Sequence, residues 1–131
     1  MNLEEVQVSD EELRVMLESG LVLREAGRLE EAEKIFLGVR ELVPESDVPL
    51  VVLSSIAVRR RDFDEALRLC EEALQNKPDS LYARVNRAEI LLYQKKSDEA
   101  EAELREIVEN NADSPHRRTA ESLLEVIRMN A

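Results

Sequence analysis

Residues 62–73 read DFDEALRLCEEA, and the same frame returns as RLEEAEKIFLGV at 28–39 and KSDEAEAELREI at 96–107. Each stretch carries an alanine at the end of an acidic run: Ala32, Ala66 and Ala100, spaced 34 residues apart. Four residues on stand Phe36, Cys70 and Leu104, and three beyond those stand Val39, Ala73 and Ile107. Both offsets return to one face of a helix. Working backwards, Gly20, Ser54 and Ala88 lie twelve residues before the alanines, and Leu23, Ala57 and Leu91 lie nine before. That second set belongs to a preceding helix, and its small residues let two helix backbones approach closely. The unit is a helix hairpin, and a period between 20 and 50 residues means that each unit buries its apolar face by stacking on the next.

Composition agrees with an all-α chain. Its 131 residues are rich in Ala, Glu, Leu and Arg, with three glycines, four prolines and four aromatic residues. Such a chain is a poor sheet former. Its length predicts one domain that buries about two-thirds of its unfolded surface and folds without covalent staples. The lone Cys70 has no partner for an internal disulfide, no amino-terminal apolar run with basic flanks marks a signal peptide, and no apolar stretch is long enough to span a bilayer. A soluble, cytoplasmic protein is expected.

Local signals predict helices at 10–26, 29–42, 48–61, 63–75, 81–95, 98–110 and 115–129. Ser9 with Glu12, and Asp62 with Glu65, read as capping boxes, and Asp47, Ser80, Ser97 and Ser114 are further start signals. The seventh helix carries Leu123, Leu124, Val126 and Ile127 against Arg117, Arg118, Glu121, Glu125 and Arg128. It reads as the solubilising cap that a terminal repeat requires. Residues 1–9 read as a disordered leader, the other reading being that Leu3, Val6 and Val8 cover the open edge of the stack.

These columns resemble the tetratricopeptide repeat, a 34-residue unit with a small residue at position 8, alanine at 20, a large apolar residue at 24, a small one at 27 and proline at 32. Over 13–46, Gly20, Gly27, Ala32, Phe36 and Pro44 match. Over 47–80, Ala66, Ala73 and Pro78 match and Cys70 replaces the usual aromatic. Over 81–114, Ala88 and Ala100 match, Ala112 stands where proline is expected, and the family's usual tryptophan is missing. The resemblance implies a right-handed superhelical stack of three hairpins plus a capping helix.

It also implies a concave binding surface on the first helix of each repeat, at positions 2, 5, 9 and 12. Those columns hold Arg14, Leu17, Leu21 and Arg24, then Val48, Val51, Ser55 and Val58, then Tyr82, Val85, Glu89 and Leu92, with Val52, Asn86 and Tyr93 beside them. Most are apolar, which suits an apolar or amphipathic segment of a partner protein. The competing reading puts Val51, Val52 and Val58 in the core, because VPLVVLSSIAV at 48–58 is apolar nearly all round. Another branch of the family clamps a chaperone tail's carboxylate with several fixed donors, and Asn86 alone does not make that clamp. Closer is the resemblance to the small tetratricopeptide chaperones of bacterial type III secretion: residues 88–104, AEILLYQKKSDEAEAEL, are similar to the last repeat of translocator chaperones, and 53–67, LSSIAVRRRDFDEAL, to a stretch of needle-subunit chaperones. It implies a partner held soluble before export. The alternative is a homodimer or larger scaffold built through the same groove.

The formal charge of −11, from 18 basic and 29 acidic side chains, disfavours nucleic acids and anionic membranes. Arg59, Arg60 and Arg61 form the only compact basic run, which reads as a solvated helix terminus, the other reading being a contact for an acidic partner at the groove's edge. One histidine, His116, read as a surface residue, and one thiol, Cys70, read as buried in the apolar column, cannot assemble a metal cluster or a thiol nucleophile with its base. No catalytic activity and no cofactor are expected.

Overall fold

The computed structural model describes residues 8–110 and 113–130, and among these are seven helices and no strand: α1 (Asp10–Glu25), α2 (Leu29–Leu42), α3 (Val48–Arg59), α4 (Phe63–Asn76), α5 (Leu81–Tyr93), α6 (Ser97–Asn110) and α7 (Pro115–Met129). Leu3, Val6 and Ala112 lie outside the described residues. The helices pair as hairpins α1–α2, α3–α4 and α5–α6, and each hairpin packs on the next through α2–α3 and α4–α5. α7 packs on both α6 and α5, and α3, α5 and α7 touch side by side, forming an inner layer.

The starts follow the sequence signals with two exceptions. Ser9, Asp62, Ser80 and Ser114 each accept a backbone N–H three residues on, at 3.1, 3.3, 3.0 and 3.0 Å. Asp47 precedes α3 but caps nothing with its side chain, because its carboxylate accepts the Ser80 hydroxyl at 2.6 Å and so ties the start of α3 to the start of α5. Ser97 is the first residue of α6 rather than its cap.

α1, α3 and α5 end one or two residues earlier than the sequence pattern predicts, and all for one reason. Gly27, Arg61 and Lys95, spaced by 34 residues, adopt the left-handed conformation, with φ of 80°, 62° and 64°. The following N–H groups of Arg28, Asp62 and Lys96 then donate to Leu23, Ala57 and Leu91 oxygens, each at 2.9 Å. This closure satisfies carbonyls that a helix end leaves orphaned and turns the chain into the second helix.

The aligned columns are the core. Ala32, Phe36 and Val39, Ala66, Cys70 and Ala73, and Ala100, Leu104 and Ile107 are all fully buried. α3 is the most enclosed helix, since neighbours cover it on both sides. Leu50, Val51, Val52 and Ile56 are each at most 1 % exposed, which places Val51 and Val52 in the core reading of this segment rather than on a binding surface.

Candidate functional site: a cleft across α1, α3 and α5

Close packing of the inner helices leaves a cleft of about 300 Å³ lined by Arg24 and Glu25 of α1, Ser55, Val58 and Arg59 of α3, and Tyr82, Asn86, Glu89 and Tyr93 of α5. The α5 members sit at i, i+4, i+7 and i+11, a spacing that keeps them on one face of the helix. Of the twelve candidate groove residues, Arg24, Ser55, Val58, Tyr82, Asn86, Glu89 and Tyr93 come together here.

The other five are elsewhere. Val51 is fully buried and Val85 is 5 % exposed, in separate core clusters that support the inner layer from beneath. Leu17 and Leu21 are half-buried against the main core. Leu17 and the exposed Val48 instead line a second hollow of about 290 Å³ with Leu13, Val39, Val43 and Pro49. Neighbouring positions divide likewise: Leu92 packs against the carboxy-terminal core cluster, and Arg14 pairs with Glu11 and Glu18 on the surface.

Fixed side chains shape the cleft. Arg24 spends all three guanidinium nitrogens: Nη1 donates to Ser55 Oγ at 3.0 Å, while Nε and Nη2 donate to Glu25 at 3.2 and 2.9 Å. Ser55 passes its own proton to the Val52 oxygen at 2.6 Å. Asn86 is 8 % exposed and serves the fold, donating to Ser54 Oγ at 2.7 Å, and Ser54 donates in turn to the Ala66 oxygen at 2.7 Å. Arg59 donates to the Arg24 carbonyl, and with Glu25 it is a lining residue that the family columns do not select. For Glu25 the sequence signal is only adjacency to Arg24, whereas Arg59 belongs to the basic run whose second reading is a contact at the groove's edge. Arg60 turns outward to Glu33 at 2.7 Å, and Arg61 lies 5.2 Å over the Phe63 ring.

Aromatic contacts brace both ends. Tyr82 stacks on His116 of α7 at 5.2 Å between ring centroids, so His116 is a half-buried support rather than the surface residue its sequence context suggests. Burial pushes the Tyr82 phenol above its ordinary pKa, with Arg24 opposing. Tyr93 stacks on Phe63 at 5.6 Å yet remains 48 % exposed. Burial likewise raises the Glu89 carboxyl, and Arg24 only partly offsets it. The lining is therefore mixed: Val58 and the two tyrosines supply apolar area, and the side chains of Arg24, Glu25, Arg59 and Glu89 interrupt it.

The tetratricopeptide repeat model matches residues 57–124, just over half of the chain. The chain belongs to the tetratricopeptide repeat family. No curated protein sequence matches it. Among solved structures, the type III secretion translocator chaperone SycD of Yersinia enterocolitica, in an alternative dimer, is similar with a TM-score of 0.76 and 22 % identity over 95 % of this chain and 98 % of that one. SycD in complex with a peptide of the translocator YopD gives 0.72 and 20 % over 95 % and 98 %. The first tetratricopeptide domain of Spaghetti (RPAP3), bound to an HSP90 peptide, gives 0.75 and 20 % over 94 % and 98 %. At these identities the likeness is one of fold. In this tetratricopeptide chain no described helix is long and apolar enough to cross a membrane, and the described residues hold no cluster of three or more metal-ligating side chains.

Proposed function

We propose that this tetratricopeptide protein is a non-enzymatic binding module that receives a segment of another protein in the α1–α3–α5 cleft. The observation that carries this reading is the half-exposed Tyr93, stacked on Phe63, in one lining with Val58 and the His116-stacked Tyr82, which together leave an apolar strip at the surface. Covering such a strip removes apolar area from water at about 25 cal/mol per Å². Residues 10–131 act as the unit, in the cytoplasm, with no nucleic acid and no inserted membrane segment as ligand. The finer reading is a chaperone or adaptor role of the type III secretion kind, supported by the fold shared with SycD and by the acidic charge.

Self-association is a second reading, favoured by one observation: Val15 and Val22, seven residues apart on α1, are 50 % and 67 % exposed. Affinity capture from the native cell, comparing the parent with Tyr93→Glu, tests the first. One protein retained by the parent and lost by the variant supports the cleft. Equal retention removes it, and a dimer in a solution mass measurement that dissociates in Val22→Glu but not in Tyr93→Glu transfers the function to α1.

A further inference from the structure

The cleft holds one carboxylate that no donor among the described residues reaches. Glu25 takes two donors from Arg24, Arg24 gives its third nitrogen to Ser55, and Arg59 is exposed to water and donates to a carbonyl. Glu89 is half-buried, accepts no hydrogen bond among the described residues, and feels only the field of an Arg24 already neutralised by Glu25. A larger hollow of about 430 Å³ between α6 and α7 makes the contrast. Its charges answer one another, Arg105 with Glu101 at 2.6 Å and Arg128 with Glu125, and Glu121 takes Arg117 at 3.0 Å.

Any partner that covers Tyr82, Val58 and Tyr93 also strips the remaining water from Glu89, which lies between the tyrosines on α5. An ionised carboxylate buried without a partner is strongly unfavourable, so an all-apolar occupant works against itself. A cation from the occupant removes that cost. Tyr93 stands one helical turn beyond Glu89 and offers a ring along which an aliphatic stem can lie with its charge near the carboxylate.

Building on the cleft reading above, we propose that the occupant is a protein segment presenting a lysine or arginine, whose cation pairs with Glu89 while its stem and apolar neighbours cover Tyr93, Val58 and Tyr82. The net charge of −11 favours approach of such a segment.

The test uses random twelve-residue peptides displayed on phage, selected on the parent protein and depleted on Tyr93→Glu. A selected peptide is synthesised with its basic residue intact or replaced by norleucine, and both are titrated by fluorescence anisotropy against the parent and Glu89→Gln, each checked for folding by circular dichroism. The expected result is a loss of about tenfold or more for either single change and little further loss when the two are combined. Glu89→Gln binding as tightly as the parent, or tighter, overturns the cation assignment while leaving the cleft reading intact, because then the carboxylate is only a cost. Selected peptides without a basic residue do the same. Failure to obtain any peptide that distinguishes the parent from Tyr93→Glu overturns both. Because norleucine alters the peptide alone, its effect reads the contact even if a protein variant is perturbed.

Discussion

Gly20 and Phe36 touch so closely that no side chain fits between them: a β-carbon on Gly20 would lie 2.5 Å from Phe36 Cε2 and 2.9 Å from Cζ, with Ile35 Cγ2 at 3.1 Å. Phe36 is fully buried, so the ring has nowhere to retreat. The same two columns hold Ser54 with Cys70 and Ala88 with Leu104, so the largest partner is matched with the smallest residue. Here the seam is set by the sum of two volumes.

Gly20→Ala should therefore destabilise the protein even though alanine improves helix propensity by about 1 kcal/mol. Overpacking in a filled core costs about 1–3 kcal/mol and is the larger effect. Urea denaturation should show a loss in Gly20→Ala and partial recovery when Phe36→Leu is added. A stabilised single variant would mean that the ring moves freely and that the contact does not set the helix spacing.

The three hairpin turns use one backbone conformation but only one glycine. Arg61 and Lys95 hold the left-handed region that costs an L-residue about 1–2 kcal/mol. Lys95→Gly should raise stability by about 1 kcal/mol, read as an increase in the thermal midpoint by circular dichroism. Arg61→Gly should gain less, because it also removes the guanidinium over Phe63. Gly27→Ala should lose stability although no atom lies within 4 Å of the added carbon, since its φ of 80° alone is the obstacle. Equal effects at all three positions would show that the turns are not governed by φ.

Much of the architecture was legible because it is periodic. Ala32, Ala66 and Ala100 repeat a packing requirement, and a requirement met three times at one spacing stands out from surface variation. The cleft was half legible for a related reason. Family columns name positions on a helix face, but α3 has neighbours on both sides, so Val51 is swallowed by the same packing that leaves Ser55 and Val58, one turn and two turns on, at the rim. Val85 is lost to the carboxy-terminal core likewise. The stacks of Tyr82 on His116 and of Tyr93 on Phe63 join residues 34 and 30 positions apart, and no local pattern announces them. Nor does spacing reveal that Asp47 turns from capping α3 to bind Ser80.

Two carboxylates on and beside α5 should respond to acid with opposite sign. Glu103 is half-buried, which by itself would raise its pKa, but donors from Arg84 at 3.1 and 3.3 Å and from Arg87 at 2.6 Å outweigh burial and hold it below the usual glutamate value of 4.5. A depressed folded pKa gives stability that is present above the unfolded value and lost as pH falls through the folded one. Glu89 is raised by burial, against the partial opposition of Arg24, so its ionisation opposes folding as pH climbs past the unfolded value and the penalty disappears on acidification. Glu103→Gln should thus lose about 2 kcal/mol at pH 7, with the deficit shrinking below pH 4.5, because two arginines are left short of an acceptor. Glu89→Gln should be more stable than the parent at pH 7 and converge with it in acid. Urea midpoints at pH 7 and at about pH 4 decide the matter. Parallel shifts for the two variants would mean that neither carboxylate carries the environment assigned to it, whereas divergence would show that ionising Glu89 costs the free protein stability, a cost that a partner's cation beside it would relieve.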